Sequence, residues 1–251
     1  MALEGKTVFV TGASRGAGAG IAKEIATAGA RVILGYARNI AAAEAVAAEI
    51  GERASGLVRA DFAEPGAAGP AYAEACAIAG RPIHGLVLNH GVFEAASVHD
   101  DDAAWTENWT RTLQINLQSA ADLARLFARD RVDSGTEGAI VAIASRAANR
   151  GDDADHPAYA ASKAGLIAAM KTLARAYSGR GLLAYSLAPG WIDTEMAPQE
   201  PAARQAALAE APLGEMARPA ELGALCAFLL SGACRSATGS VIDVNGASHL
   251  R

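Results

Sequence analysis

Tyr159 and Lys163 stand four residues apart in the run Tyr-Ala-Ala-Ser-Lys. On a helix that spacing puts a phenol and an ammonium on one face. A phenol with an ordinary pKa of about 10 exchanges protons poorly near neutral pH, and a cation beside it favours the phenolate. The pair is suited to acid–base work, although an ordinary exposed helix face carries the same spacing. Ser145 closes the apolar run Ala142-Ile143-Ala144. A hydroxyl at the C-terminal end of a strand faces the ligand crevice of an open α/β sheet, where it can donate to a carbonyl oxygen. A helix cap or a turn serine is the other reading. Ser145 lies outside any Gly-x-Ser-x-Gly elbow, so nucleophilic hydrolysis is disfavoured.

A second constellation is Thr11-Gly12-Ala13-Ser14-Arg15-Gly16-Ala17-Gly18. Glycine permits a tight turn and close approach of the backbone to a pyrophosphate. The free N–H groups at the helix start then favour the anion. A dinucleotide is the expected ligand. The spacing is Gly-x3-Gly-x-Gly, not the commoner Gly-x-Gly-x2-Gly.

These residues need elements to hold them. Short Val- and Ile-rich runs predict strands at 6–11, 31–36, 56–60, 83–89, 138–144, 182–188 and 240–244. Alanine-rich stretches predict helices at 15–28, 40–50, 67–79, about 102–129, 157–178 and 219–230. Near-continuous apolar strands are buried on both faces, and helices between them imply a parallel sheet with right-handed crossovers. The expected fold is α/β: one doubly wound (Rossmann) domain over 1–251, with about seven parallel strands and helices on both faces. The stretch 191–217 holds Pro198, Pro201 and Pro212 and several charges. It follows a strand whose C-terminal end should face the ligand, so a substrate lid is expected, with a solvated surface helix as the alternative.

Composition narrows the classes. Lys plus Arg is 22 and Asp plus Glu is 27, for a net charge of −5. An acidic chain does not suit non-specific nucleic-acid binding or a polybasic membrane anchor. No apolar run reaches the roughly 18–20 residues of a membrane span, and the first residues lack a signal-peptide core. Cys76, Cys226 and Cys234 form neither a disulfide framework nor a metal pattern. A cytoplasmic protein without a metal is expected.

In order and spacing the chain resembles a short-chain dehydrogenase/reductase over essentially its whole length. The branch it resembles most is that of the 3-oxoacyl-thioester (acyl-carrier-protein) reductases. The glycine turn, Leu88-Asn89-His90-Gly91, Asn116, Ser145, Tyr159, Lys163, Pro189-Gly190-Trp191-Ile192-Asp193-Thr194 and the stretch 239–246 carry the resemblance. It implies a catalytic tetrad of Asn116, Ser145, Tyr159 and Lys163. Tyr159 would be the acid in reduction and the base in oxidation. Lys163 would lower its pKa and hold the nicotinamide ribose. Ser145 would orient the carbonyl, and Asn116 would position a water. Three positions depart from the family pattern: Leu88 and His90 replace an asparagine and an alanine, and Tyr185 stands where asparagine is usual. His90 borders the expected cofactor site; a histidine satisfied by backbone groups is the plainer reading.

Cofactor residues implied are Gly12, Ser14, Arg15, Gly16, Ala17, Gly18, Tyr36, Arg38, Asp61, Phe62, Asn89, His90, Gly91, Tyr159, Lys163, Pro189, Gly190, Ile192 and Thr194. A carboxylate at the end of the second strand would bind a ribose 2′-hydroxyl. Here Gly35-Tyr36-Ala37-Arg38 has none, and Arg15 and Arg38 suit a 2′-phosphate. NADP(H) is therefore expected over NAD(H), with a solvent-facing Arg38 as the alternative. Phe93, Ala147, Trp191, Met196 and the loop 151–156 are candidate pocket residues. A solvated turn is an equal reading of that loop. Arg129, Arg131 and Arg180 could meet an acidic carrier protein or simply solubilise the surface. The expected activity is NADP(H)-linked interconversion of a carbonyl and a secondary alcohol, first a 3-oxoacyl-type ketone. The alternatives are an NAD-dependent sugar, polyol or secondary-alcohol dehydrogenase and a non-catalytic dinucleotide-binding module. Alanine-rich faces on 157–178 and on the long helix before 129, with the resemblance, predict a homotetramer.

Overall fold

Val8 and Val10 pack on one side of the first strand and Phe9 on the other, and all three are fully buried. That two-sided burial runs through a seven-stranded sheet in a computed structural model that describes residues 2–80 and 82–250. The strands are β1 (Thr7–Val10), β2 (Arg31–Tyr36), β3 (Ala54–Arg59), β4 (Gly85–Leu88), β5 (Gly138–Ile143), β6 (Leu182–Pro189) and β7 (Val241–Val244). Their order is β3-β2-β1-β4-β5-β6-β7, and every pairing is parallel. The chain reverses its direction of travel across the sheet between β1 and β4, which opens the ligand crevice at their C-terminal ends.

The helices are α1 (Gly16–Thr27), α2 (Ile40–Ile50), α3 (Ala68–Ala79), α4 (Asp102–Leu113), α5 (Ser119–Ser134), α6 (Ala147–Arg150), α7 (Pro157–Tyr177), α8 (Pro201–Ala209) and α9 (Pro219–Ser231). On one face, Ile21 and Ile25 of α1 and Leu222, Cys226 and Leu229 of α9 cover Val8, Val10, Leu34 and Val141. On the other, Tyr72 of α3, Leu123 and Phe127 of α5 and Leu166 and Met170 of α7 cover Phe9, Ile33, Leu86 and Ile140. No helix among the described residues is long and apolar enough to cross a membrane.

The sequence expectation of one long helix at about 102–129 is corrected. A π-turn at Gln114–Gln118 separates α4 from α5, and α5 continues to Ser134 before Gly135 ends it in the left-handed conformation. The wide π-turn carries Asn116 inward, so the interruption sits at a candidate site residue. Within 191–217, α8 is a regular helix capped by the Glu200 carboxylate, which accepts from the N–H groups of Ala202 and Ala203.

Candidate active site

The glycine turn leaves the end of β1 with Gly12 at φ +64° and Gly16 at φ +55°, backbone that glycine adopts at little cost. A Cβ on Gly18 would fall 2.1 Å from the Gly12 carbonyl oxygen, so that position excludes any side chain. Arg15, preceding α1, offers no side-chain cap, and the first turn of α1 has no acidic residue. The uncapped N–H groups of that turn fit the pyrophosphate of a dinucleotide. Asn89 braces the turn: its Nδ2 donates to the carbonyls of Thr11 and Gly12, each at 3.0 Å.

Tyr36 is buried at the end of β2, whereas the Arg38 side chain is 77% exposed and lies 3.6 Å from the Asp61 carboxylate. Arg15 is equally open and pairs with Glu195 at 3.3 Å. Ser14 and Ala17 line the turn and are partly exposed. After β6, Gly190 packs against Asn245, and Ile192 bridges to Ala217. The Thr194 methyl lies within 3.6 Å of where a Gly16 Cβ would be, so 191–195 passes over the glycine turn.

At the ends of β5 and α7, Ser145, Tyr159 and Lys163 converge. Ser145 is buried and hydrogen-bonds the Tyr159 hydroxyl; its Oγ also accepts from the Ala147 N–H at 3.1 Å. Lys163 Nζ is buried, donates to the Ile143 carbonyl at 2.9 Å and lies 5.8 Å from the centre of the Tyr159 ring. Asn116 reaches the same place from the π-turn. Its Nδ2 donates to the Val92 carbonyl at 3.0 Å and to Ser162 Oγ at 3.1 Å, while its Oδ1 accepts from the Val92 N–H at 2.8 Å. A Cβ on Gly91 would meet Asn116 Oδ1 at 3.1 Å and Lys163 Nζ at 3.3 Å, so Gly91 lies against both.

Burial dominates at Tyr159 and pushes the phenol up to about 12; the Ser145 hydrogen bond lowers it, and the Asp152 carboxylate adds to the rise. Burial also pushes Lys163 down to about 8. Desolvation disfavours both charged forms, phenolate and ammonium.

Phe93 stacks on His156 at 3.7 Å and meets Tyr159 and Trp191 edge-on at 4.8 and 6.2 Å. The loop 151–156 is tied down by His156 Nδ1 to Asp153 at 2.5 Å and by the Ala96 N–H donating to the Asp155 carbonyl at 2.6 Å. Its residues 151 and 153–155 stay exposed, as a solvated turn would, while His156 turns in against Phe93. Met196 remains exposed and outside these ring contacts.

His90 is satisfied by hydroxyls, not by backbone groups alone: Nδ1 lies 2.7 Å from Thr11 Oγ1 and Nε2 2.9 Å from Ser119 Oγ, with the Phe62 ring tilted against it at 4.1 Å. Tyr185 stays out of the crevice; it is buried in the core and donates to the Cys234 carbonyl. Arg131 is likewise removed from any carrier surface: it is 3% exposed, over the Phe127 ring.

Sequence reasoning did not find Ser162, Ser119 or the pairing of Arg146 with Glu210. The Arg146 side chain, next to Ser145, is 7% exposed and holds Glu210 just past α8, which Arg150 also approaches at 3.7 Å. An arginine directly after a strand-end serine, with a carboxylate just beyond α8, is the signal for it. No metal-binding cluster occurs among the described residues.

The family profile described as enoyl-(acyl carrier protein) reductase matches residues 12–249. A galactitol 2-dehydrogenase (L-tagatose-forming) of Cereibacter sphaeroides is 34% identical, over 97% of this chain and 95% of that protein. A 3-oxoacyl-[acyl-carrier-protein] reductase of Pseudomonas aeruginosa is 32% identical over the whole of both chains. A short-chain dehydrogenase of Burkholderia cenocepacia, solved in complex with NADP, superposes with a TM-score of 0.90 at 33% identity, covering 99% of each chain.

Proposed function

The chain belongs to the short-chain dehydrogenase/reductase family, and from that premise we propose that it interconverts a carbonyl and a secondary alcohol with NADP(H), taking first a 3-oxoacyl-type ketone. The observation that carries this reading is the meeting of buried Ser145 and Lys163 with half-buried Tyr159 beside an uncapped, glycine-lined helix start. The nicotinamide dinucleotide, when bound, supplies or takes the hydride. The chain's own residues do the rest. In reduction Ser145 holds the carbonyl oxygen and the protonated Tyr159 gives it a proton. Lys163, charged below about 8, keeps a cation beside the developing charge. Asn116 holds the backbone at Val92 against α7 through Ser162, which keeps Lys163 in place. The turn 12–18, Asn89 and Gly91 would hold the dinucleotide, with Asp61 and Phe62 toward its adenine and Pro189, Gly190, Ile192 and Thr194 toward its nicotinamide. Arg15 and Arg38 would favour the 2′-phosphate.

A second reading is oxidation of a polyol or sugar, supported by the galactitol dehydrogenase relative and by the partly buried Asp152 near Tyr159. We further propose a single cytoplasmic domain with 191–217 as its lid, assembled as a homotetramer. Light scattering that gives a monomer at micromolar concentration would contradict the assembly.

The test is Tyr159→Phe. Turnover on a ketone panel with NADPH should fall about 10²–10⁴-fold, as for loss of a positioned proton donor. Retained turnover would end the reading. In wild type, reduction should hold level below pH 8 and decline as Lys163 loses its proton near 8. Oxidation should climb through alkaline pH, since Tyr159 releases its proton only towards 12.

A further inference from the structure

We propose that His90 is a positioning residue for this reaction: it is a hydrogen-bonded splint that locks the π-turn carrying Asn116 to the glycine turn. This rests on the tetrad reading above. Four contacts at hydrogen-bond distance run in a row: Thr11 Oγ1 to the Val87 carbonyl at 3.1 Å, His90 Nδ1 to Thr11 Oγ1 at 2.7 Å, His90 Nε2 to Ser119 Oγ at 2.9 Å, and Ser119 Oγ to the Ile115 carbonyl at 2.8 Å. A neutral imidazole and two hydroxyls own only three protons between them. Burial and the nearby Lys163 charge push His90 down to about 3, so the imidazole is neutral. One contact must go without a proton. The Val87 carbonyl already accepts from the Thr11 N–H at 3.0 Å, and its contact with the Thr11 hydroxyl is the longest of the four.

The remaining three bonds then point one way. Thr11 O–H donates to His90 Nδ1, His90 Nε2–H donates to Ser119 Oγ, and Ser119 O–H donates to the Ile115 carbonyl. That order assigns the Nε2–H tautomer. Hydrogen bonds aligned head to tail polarise one another and stiffen the row. One end of the row is the residue that opens the glycine turn. The other is a carbonyl inside the π-turn, one residue before Asn116. The Asn89 N–H also donates to Thr11 Oγ1 at 3.0 Å, so the same hydroxyl anchors the brace of the glycine turn. Phe62, expected near the adenine, packs on the imidazole face. An alanine at 90, as in the family pattern, could make none of these bonds.

Two substitutions cut the row at one link from opposite sides. His90→Phe keeps a ring against Phe62, and Ser119→Ala removes the receiving hydroxyl with little change in volume. The probe reaction is NADPH-dependent reduction of ethyl acetoacetate, with Tyr159→Phe as control. Each single substitution should lower kcat about 10-fold while the NADPH Kd, read by fluorescence, stays within about 3-fold. The double variant should be no more than about 2-fold worse than the more impaired single, because both remove the same link. In the cofactor-free protein, hydrogen exchange should quicken in peptides spanning 111–120 and stay unchanged in β5 and α9. Single variants with kcat within about 2-fold of wild type, fully multiplicative losses, or a lowered Tm alone would overturn the proposal. If wild type ignores the probe, the 3-oxoacyl reading fails; if Tyr159→Phe retains turnover, the tetrad reading fails; in either case the exchange pattern alone then decides the role of His90.

Discussion

The glycine turn and the lid stretch 191–217 flank the same crevice but are held by different forces. The turn is fixed by backbone: positive φ at Gly12 and Gly16, no room for a Cβ at Gly18, and Asn89 bonded to two of its carbonyls. The stretch 191–217 is held by a small apolar cluster of Ala197, Ala207 and Met216 and by charged side-chain pairs: Glu195 to Arg15, Asp193 to Arg204 and Glu210 to Arg146. Backbone constraints tolerate almost no substitution, whereas side-chain pairs can be exchanged one at a time. Relatives that cover nearly the whole chain are named for different substrates, galactitol and a 3-oxoacyl-[acyl-carrier-protein].

Three substitutions sharpen or break that contrast. Gly18→Ala should have the largest effect, because a methyl 2.1 Å from the Gly12 oxygen forces the turn open. NADPH affinity, by fluorescence titration, should fall by about 100-fold, in line with an overpacking cost of about 1–3 kcal/mol. Near-normal affinity would mean that the turn is not rigid. Glu210→Gln comes next. It leaves the buried Arg146 charge without a full partner, which is costly in a dry setting, though Glu210 itself is 45% exposed and softens the loss. We expect kcat/KM on a ketone to drop about 10-fold with NADPH affinity unchanged. Equal losses in both would show that the lid pair and the cofactor turn are one unit. Arg38→Ala should be the smallest, since the side chain is open to solvent and screened. NADPH should bind about 5-fold more weakly and NADH the same. Equal changes for both cofactors, or tighter NADH binding in wild type, would remove Arg38 from the 2′-phosphate assignment.

Much of this was legible in the residues. Apolar runs located all seven strands to within about two residues, because a strand buried on both faces cannot hide its composition. The Tyr159–Lys163 spacing and Ser145 at a strand end were readable for the same reason: they are local. The α4–α5 interruption was not, because a π-turn leaves no period in the sequence and is sustained here by contacts from Val92, Ser162 and His90. Arg131 looked like a surface charge and proved buried, since only the approach of Gly138 and Phe127 covers it.

The sequence by itself determined the parallel sheet, the glycine turn and the spacing of Tyr159 and Lys163 on one helix, because periodicity, backbone permissiveness and residue chemistry act over a few positions. Tertiary structure alone decided their electrostatics. Packing around the ends of β5 and α7 takes Tyr159 and Lys163 out of water, and desolvation moves one up to about 12 and the other down to about 8. It also decided that a histidine 79 residues from Thr11 and 29 from Ser119 joins the two turns, a contact that chain separation conceals and sheet topology creates.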